Sequence, residues 1–261
     1  MDTIDILNLR QWVFNYIKRF YSPDPEHQKN IKLKELHTVN VGSNMVRIAR
    51  SVLQNKSKVF LAEAIGLLHD IGRFPQYEQH RTFRDSISIN HGKLGAEVIV
   101  KENALKAVPQ GEQEIIIDAV RFHNVFSIPH VLDPEKIFFL KMVRDADKLD
   151  IWRVFTEQFA MDTSERASAA DLGLPDLPTY SDALLSCLRE KKQATLSGLK
   201  TLNDFKIMQL TWVYDLNFPV SLRILSDNGH TDKIIAMLPQ DDKISDAVSV
   251  LRSHIQNRSA C

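Results

Sequence analysis

The dipeptide His69-Asp70, in the stretch LLHDIG, places an imidazole beside a carboxylate at the polar end of an apolar segment. Imidazole nitrogen and carboxylate oxygen are ligands suited to Zn, Fe, Mn or Ni. Burying a carboxylate is costly unless a cation or hydrogen bonds compensate for its lost hydration. The pair therefore predicts a metal site.

Other side chains of the same ligand types lie near the ends of apolar segments or inside the central one. They are His37, His91, His123 and an acid of the stretch DADKLD, where helical periodicity does not choose between Asp145 and Asp147. With the pair, these make six groups, which on converging would hold two metal ions.

Three of the candidate residues also have ordinary structural explanations. His91 could be a first-turn helix residue beside an Asn90 cap. His123 could be a favourable charge at a helix C-terminus. Arg73 could be a helix C-terminal cation that binds backbone carbonyls. The sequence leaves both explanations open for each of them.

The elements that must position these groups are helices, because apolar residues recur at helical spacing along most of the chain. The predicted helices cover 6–20, 32–53, 57–71, 111–123, 134–159, 182–201, 204–225 and 244–257, with one more beginning at His91. Ser57 is predicted to be the N-cap of the third helix, and Gly72 is predicted to end that helix in a left-handed conformation. Residues 73–90 are predicted to form a polar loop. The sequence has no sustained strand alternation and therefore predicts an all-α fold.

Composition limits the classes of partner and location. The 261 residues are 44% hydrophobic, which is enough for a packed core, and 33 basic residues balance 33 acidic ones. Zero net charge argues against nucleic acid as a partner. No apolar run is long enough to span a membrane, the N-terminus is acidic, and Cys187 and Cys261 are far apart. We expect a cytoplasmic protein with both cysteines reduced.

The residue set resembles the HD superfamily of metal-dependent phosphohydrolases, whose pattern is a histidine, a His-Asp pair and a distant aspartate. The matching residues are His37, the pair His69-Asp70, and Asp147, which is chosen over Asp145 by the resemblance alone. The implied fold is an all-α HD helical bundle with a C-terminal helical extension. The expected divisions are an N-terminal helix at 1–24, the catalytic core at 25–160, a connector at 161–181 and the extension or lid at 182–261.

The resemblance implies one or two divalent ions of Mn, Fe, Ni, Co or Zn. Asp70 would bridge them, with His37, His69 and Asp147 completing one site and His91 and His123 the other. Uncharacterised bacterial HD hydrolases are also similar over Asp85 and Asn124, which we expect to contact substrate.

The expected reaction is hydrolysis of a small phosphate ester, such as a nucleotide, by metal-activated water. Besides Asp70, the residues expected to act in catalysis and to neutralise phosphate oxygens are Arg73 and Lys148. The chain has Arg73 where cyclic-dinucleotide phosphodiesterases of the superfamily have lysine, and it lacks their Gly-Tyr-Pro word. It also lacks the acidic pair of hydrolases that act on guanosine alarmones. Whether the bond is a monoester or diester, and whether the chain forms homo-oligomers, stays open.

Two other functions are compatible with the same residues. One is a regulatory HD module that binds a nucleotide without turnover, although the complete ligand set argues against it. The other is oxygenase chemistry at a di-iron centre, which is known within the superfamily.

Overall fold

The computed structural model describes residues 1–162, 164–168 and 172–259, and its regular elements there are helices. The α-helices are α1 (Thr3–Lys18), α2 (Pro25–Val52), α3 (Lys56–Leu68), α4 (Arg73–His80), α5 (His91–Lys101), α6 (Gln110–Phe122), α7 (Pro134–Ala160), α8 (Asp182–Arg189), α9 (Leu202–Thr211), α10 (Pro219–Asn228), α11 (His230–Ala236) and α12 (Asp242–Ser259). Short 3-10 turns lie at Asp85–Ile87, Leu196–Gly198 and Trp212–Asp215. The predicted all-α class is confirmed.

The chain divides into two compact units. The first contains residues 1–150 and the short segment 167–168, and the second contains the described residues of 151–166 and of 172 onward. The predicted division into helix, core, connector and extension stays a prediction. Residues 163 and 169–171 of that connector, and Cys261, lie outside the described residues. Across the described part of the chain, no helix combines the length and the apolarity that crossing a membrane requires.

In the first unit α3 packs against α1, α2 and α6. Its crossing with α2 is close, because a Cβ on Gly66 would lie 2.8 Å from Gly42 Cα and 2.8 Å from Met45 Cγ. Side chains with negligible exposure fill the space around this crossing, among them Ile48, Leu61, Ile65 and Leu68. A tight crossing holds the two helices that carry the first histidine and the His-Asp pair in a fixed relation.

Polar side chains fix where several helices begin. Asn90 accepts from the Lys93 amide at 2.9 Å and caps α5, as predicted. The predicted cap at Ser57 is wrong, since Asn55 holds that position and accepts from the Ser57 amide at 2.9 Å. Pro25 occupies the first position of α2, where its missing N–H is no loss. This helix therefore begins seven residues earlier than the predicted start at residue 32.

Gly72 does not have the left-handed conformation predicted for it. Its φ of −71° and ψ of −17° are right-handed, and it immediately precedes α4. A side chain is excluded there for another reason: a Cβ would lie 2.3 Å from the His91 carbonyl oxygen and 2.6 Å from Gly95 N. The glycine thus allows the start of α4 to touch the start of α5.

The predicted loop at 73–90 is only partly a loop. It contains α4 and a 3-10 turn, and α4 buries Phe74, Gln76 and Tyr77. The helix ends at Arg81, whose φ of 54° is left-handed. Eight residues are too few for apolar periodicity to stand out, so the helix escaped detection.

The second unit is built around α9, which is buried at every position and contacts α8 and α11. The predicted helix at 182–201 is shorter, since α8 ends at Arg189. The predicted helix at 204–225 is interrupted before Pro219, which takes the first position of α10. The prediction for 244–257 agrees with α12.

Candidate metal centre

Six predicted ligands come from five helices or their ends in the first unit. Their positions are His37 in α2, His69 and Asp70 directly after α3, His91 at the start of α5, His123 directly after α6, and Asp147 in α7. Five of the six are buried, and the side chain of Asp147 is 20% exposed. The fold therefore gathers residues that are as far apart in sequence as 37 and 147.

Asp70 lies between two pairs of imidazoles. Its Oδ2 is 3.5 Å from His37 Nε2 and 3.6 Å from His69 Nε2. Its Oδ1 is 3.3 Å from His91 Nε2 and 3.7 Å from His123 Nε2. Two groups that could each hold a metal ion thus share one carboxylate. This is the arrangement that a bridging ligand requires.

Asp147 extends the first of these groups. Its Oδ1 lies 3.1 Å from His37 Nε2 and 3.7 Å from His69 Nε2. Behind the ring of His37, Asp150 Oδ2 accepts from Nδ1 at 2.7 Å. Burial lowers the pKa of His37, but hydrogen bonds to Asp147 and Asp150 hold that pKa above its ordinary value. Of the two acids that periodicity left open, the geometry favours Asp147 over Asp145.

The backbone fixes the tautomer of two of the histidines. His69 Nδ1 lies 2.7 Å from the Gly66 carbonyl, and His123 Nδ1 lies 2.8 Å from the Val120 carbonyl. A carbonyl only accepts, so in both rings Nδ1 carries the proton and Nε2 of the neutral ring is a bare lone pair. Each histidine lies three residues after the residue whose carbonyl accepts its Nδ1 proton, so the C-terminal end of a helix orients both rings.

The Nε2 atoms of the four histidine rings are placed so that they fit a metal. His69 Nε2 is 3.2 Å from His37 Nε2, and His91 Nε2 is 2.9 Å from His123 Nε2. Two bare nitrogens at such distances repel unless a proton or a cation lies between them. Donors about 2.1 Å from one ion and at right angles to each other would be about 3 Å apart. The residues present therefore fit a divalent transition metal, whose identity the donor set does not fix.

Electrostatics keeps Asp70, His69 and His91 in their metal-binding forms. Burial alone would raise the pKa of Asp70, but Lys34, His69 and Arg73 hold it well below its ordinary range. Burial lowers the pKa of His69 to about 4, and burial together with the charge of Arg73 lowers the pKa of His91 to about 3. At neutral pH they are a carboxylate and neutral imidazoles, the states that bind metal ions.

Asp85 and Asn124, predicted to contact substrate, lie behind His91. Asp85 Oδ2 accepts from His91 Nδ1 at 2.8 Å and from Asn124 Nδ2 at 2.9 Å. Its Oδ1 accepts from Gln76 Nε2 at 2.9 Å and from Arg73 Nη1 at 3.1 Å. Burial would raise the pKa of Asp85, but His91 and Arg73 hold it far below its ordinary value. These contacts orient a ligand, whereas a contact with substrate stays a prediction.

The two predicted phosphate-binding cations differ in their surroundings. Arg73 begins α4, and its Nη1 donates to Gln76 Oε1, Asp85 Oδ1 and the Phe83 carbonyl, so it is not the helix C-terminal cation of the structural alternative. Its Nε is 3.5 Å from Asp70 Oδ1. Lys148 is buried in α7, and its Nζ donates to the Arg144 carbonyl at 3.3 Å. Phosphate binding by either residue stays a prediction.

Sequence reasoning did not identify Lys34, whose Nζ lies 2.7 Å from Asp70 Oδ2. It also did not connect Asp150 with His37. A signal for Lys34 was present, because it precedes His37 by three residues and so shares its face of α2. For Asp150 and Asp85 the sequence held no such signal, since each meets its imidazole from another element or turn.

Comparison with known proteins adds one match. Residues 36–152 match a family model described as HD domain, and this range includes all six predicted metal ligands. No curated protein and no solved structure matches the chain significantly.

Proposed function

Residues 36–152 match the HD domain family, and from that premise we propose that this chain is a phosphohydrolase. The proposed reaction is metal-dependent hydrolysis of a phosphate ester of a small molecule, such as a nucleotide. One observation carries the proposal: each oxygen of the single carboxylate of Asp70 faces its own pair of histidine Nε2 atoms. Such a centre suits two ions, which is common in phosphoester hydrolysis.

In this proposal His37, His69 and Asp147 would hold one ion, His91 and His123 would hold the other, and Asp70 would be a ligand in both groups. Divalent metal there would supply Lewis acidity, which activates water and polarises a phosphoryl oxygen. The chain's own contribution is orientation and burial. Hydrogen bonds at Nδ1 orient the four imidazoles with Nε2 toward Asp70. Burial of the four rings keeps bulk water away from them. No side chain has to act as a nucleophile.

The test loads the purified protein with Mn, Fe, Co, Ni or Zn and measures bound metal by elemental analysis. Phosphate release is then measured on a panel of nucleotide monoesters and diesters. We expect bound metal and turnover in the wild type, and loss of both in Asp70→Asn. Asp246→Asn, which changes an exposed carboxylate of α12, is the matched control and should retain both.

Each negative outcome has a defined meaning. A wild type that binds no metal after loading contradicts the proposal. Nucleotide binding that survives chelation and yields no product would support the regulatory module. Oxygen consumption by the iron-loaded protein would support oxygenase chemistry.

A further inference from the structure

Lys34 is a largely buried cation that contacts Asp70, the carboxylate at the middle of the metal centre. It lies on α2 one turn before His37, and its Nζ is 2.7 Å from Asp70 Oδ2. Its side chain is 15% exposed, whereas that of Asp70 is 3% exposed. The ammonium is therefore the more exposed partner of this ion pair.

Arg73 approaches the other oxygen of the same carboxylate. Its Nε is 3.5 Å from Asp70 Oδ1, and both cations also lie near one ring, with Lys34 Nζ 5.4 Å and Arg73 Cζ 5.7 Å from the Phe83 centroid. Asp70 carries a single negative charge between them. Any divalent ion at the centre adds positive charge to this region, which then favours an anion.

Both cations keep N–H donors for such an anion: the side chains are equally exposed, at 15%, and Arg73 Nε is buried without a hydrogen-bond partner. Arg73 Nη1 is engaged by Gln76, Asp85 and the Phe83 carbonyl. An ammonium has three N–H donors, and the hydrogen bond described for Lys34 Nζ within the resolved ranges uses one, on Asp70. Two donors remain for oxygen atoms of a ligand.

We propose that Lys34 is a phosphate-anchoring residue of this site, which holds an oxygen of the substrate phosphate beside Asp70. The inference rests on the proposed phosphohydrolase function and adds to it a residue that lies outside the matched range of 36–152. It adds Lys34 to Arg73 as an electrostatic contact with phosphate. Arg73 Nη1 also donates to Asp85, the carboxylate behind His91.

The experiment measures binding without turnover. Inorganic phosphate is titrated into the Mn-loaded wild type, Lys34→Gln and Lys34→Arg by calorimetry, and Mn affinity is measured separately for each. Losing a charge-assisted hydrogen bond should weaken phosphate binding by about tenfold to hundredfold in Lys34→Gln. Mn stoichiometry should not change. Lys34→Arg retains the charge and should bind phosphate within a few-fold of the wild type.

Lys32→Gln is the matched control, because Lys32 is on the same helix but donates to Glu35 and Tyr21. It should bind Mn and phosphate as the wild type does. Equal phosphate affinity in Lys34→Gln and the wild type would overturn the proposal, and so would a wild type that binds no phosphate. Loss of Mn from Lys34→Gln would also overturn it, because Lys34 would then support the metal centre itself.

The outcome separates this inference from the proposed function. Weaker phosphate binding in Lys34→Gln, in a protein that hydrolyses no ester, would support the anchor and contradict the phosphohydrolase. Wild-type turnover with unchanged phosphate affinity and KM in Lys34→Gln would do the reverse.

Discussion

Each imidazole of the metal centre is oriented by an acceptor behind it, and for two rings that acceptor is a carboxylate. Asp150 binds His37 Nδ1 at 2.7 Å, and Asp85 binds His91 Nδ1 at 2.8 Å. A carboxylate in this position fixes the ring and strengthens it as a ligand. Because the two acids serve different groups of ligands, each should control the affinity of a different ion.

We therefore predict that Asp85→Asn weakens the affinity for the ion at His91 and His123 by at least about tenfold. The affinity for the ion at His37 should stay nearly unchanged. Metal titration by calorimetry, which resolves two binding events, measures both affinities. Glu97→Gln, an exposed carboxylate on the same helix as His91, is the control and should match the wild type. Equal weakening of both ions, or none, would contradict the separate roles.

The sequence predicted the ligands better than the residues that support them. His69 and His123 were predictable because a polar group directly after an apolar helix is unusual and stays at the end of that helix. Asp147 needed the family resemblance, since helical periodicity treats it and Asp145 alike. Lys34 shares a helix face with His37, but its contact with Asp70, like that of Asp85 with His91, comes from tertiary structure that a one-dimensional pattern does not reveal.

At the scale of elements, the approach of α4 to α5 depends on a single missing side chain. A Cβ at Gly72 would lie 2.3 Å from the His91 carbonyl oxygen and 2.6 Å from Gly95 N. Both neighbours are backbone atoms, so neither can move without shifting the first turn of α5. That turn carries His91, which links the glycine to the metal centre.

Gly72→Ala should accordingly lower the free energy of unfolding by about 1–3 kcal/mol, as other overpacked substitutions do. Urea denaturation followed by circular dichroism measures the change. Gly111→Ala is the control, since no atom lies within 4 Å of its added Cβ and alanine favours a helix by about 0.5–1 kcal/mol. A Gly72→Ala protein as stable as the wild type would show that α4 and α5 can separate at little cost.

Long helices were predictable from apolar periodicity, but their interruptions were less so. The 27-residue α7 was predicted within one residue at its end, because its apolar residues face all directions. The breaks between α9 and α10, and the eight-residue α4, were missed. Pro219, at the first position of α10, was a local signal of the first break, whereas eight residues are too few for periodicity to reveal α4.

At the scale of the molecule, the centre connects parts of the first unit that are far apart in sequence. Its ligands lie between residues 37 and 147 and come from α2, α3, α5, α6 and α7. An ion bound to them in the folded chain loses all these ligands together on unfolding. Bound metal should therefore stabilise the folded state by mass action.

We predict that removing metal by chelation lowers Tm and that Mn restores it, with about 2.7 kcal/mol of stabilisation at a free Mn concentration one hundred times Kd. Differential scanning calorimetry over a series of Mn concentrations measures the shift. Hydrogen exchange should slow in α3 and α5, whose ends carry His69, Asp70 and His91. In Asp70→Asn the same Mn series should leave Tm unchanged, because both groups lose their shared ligand. A shift of equal size in that variant would mean that the stabilising ion binds elsewhere.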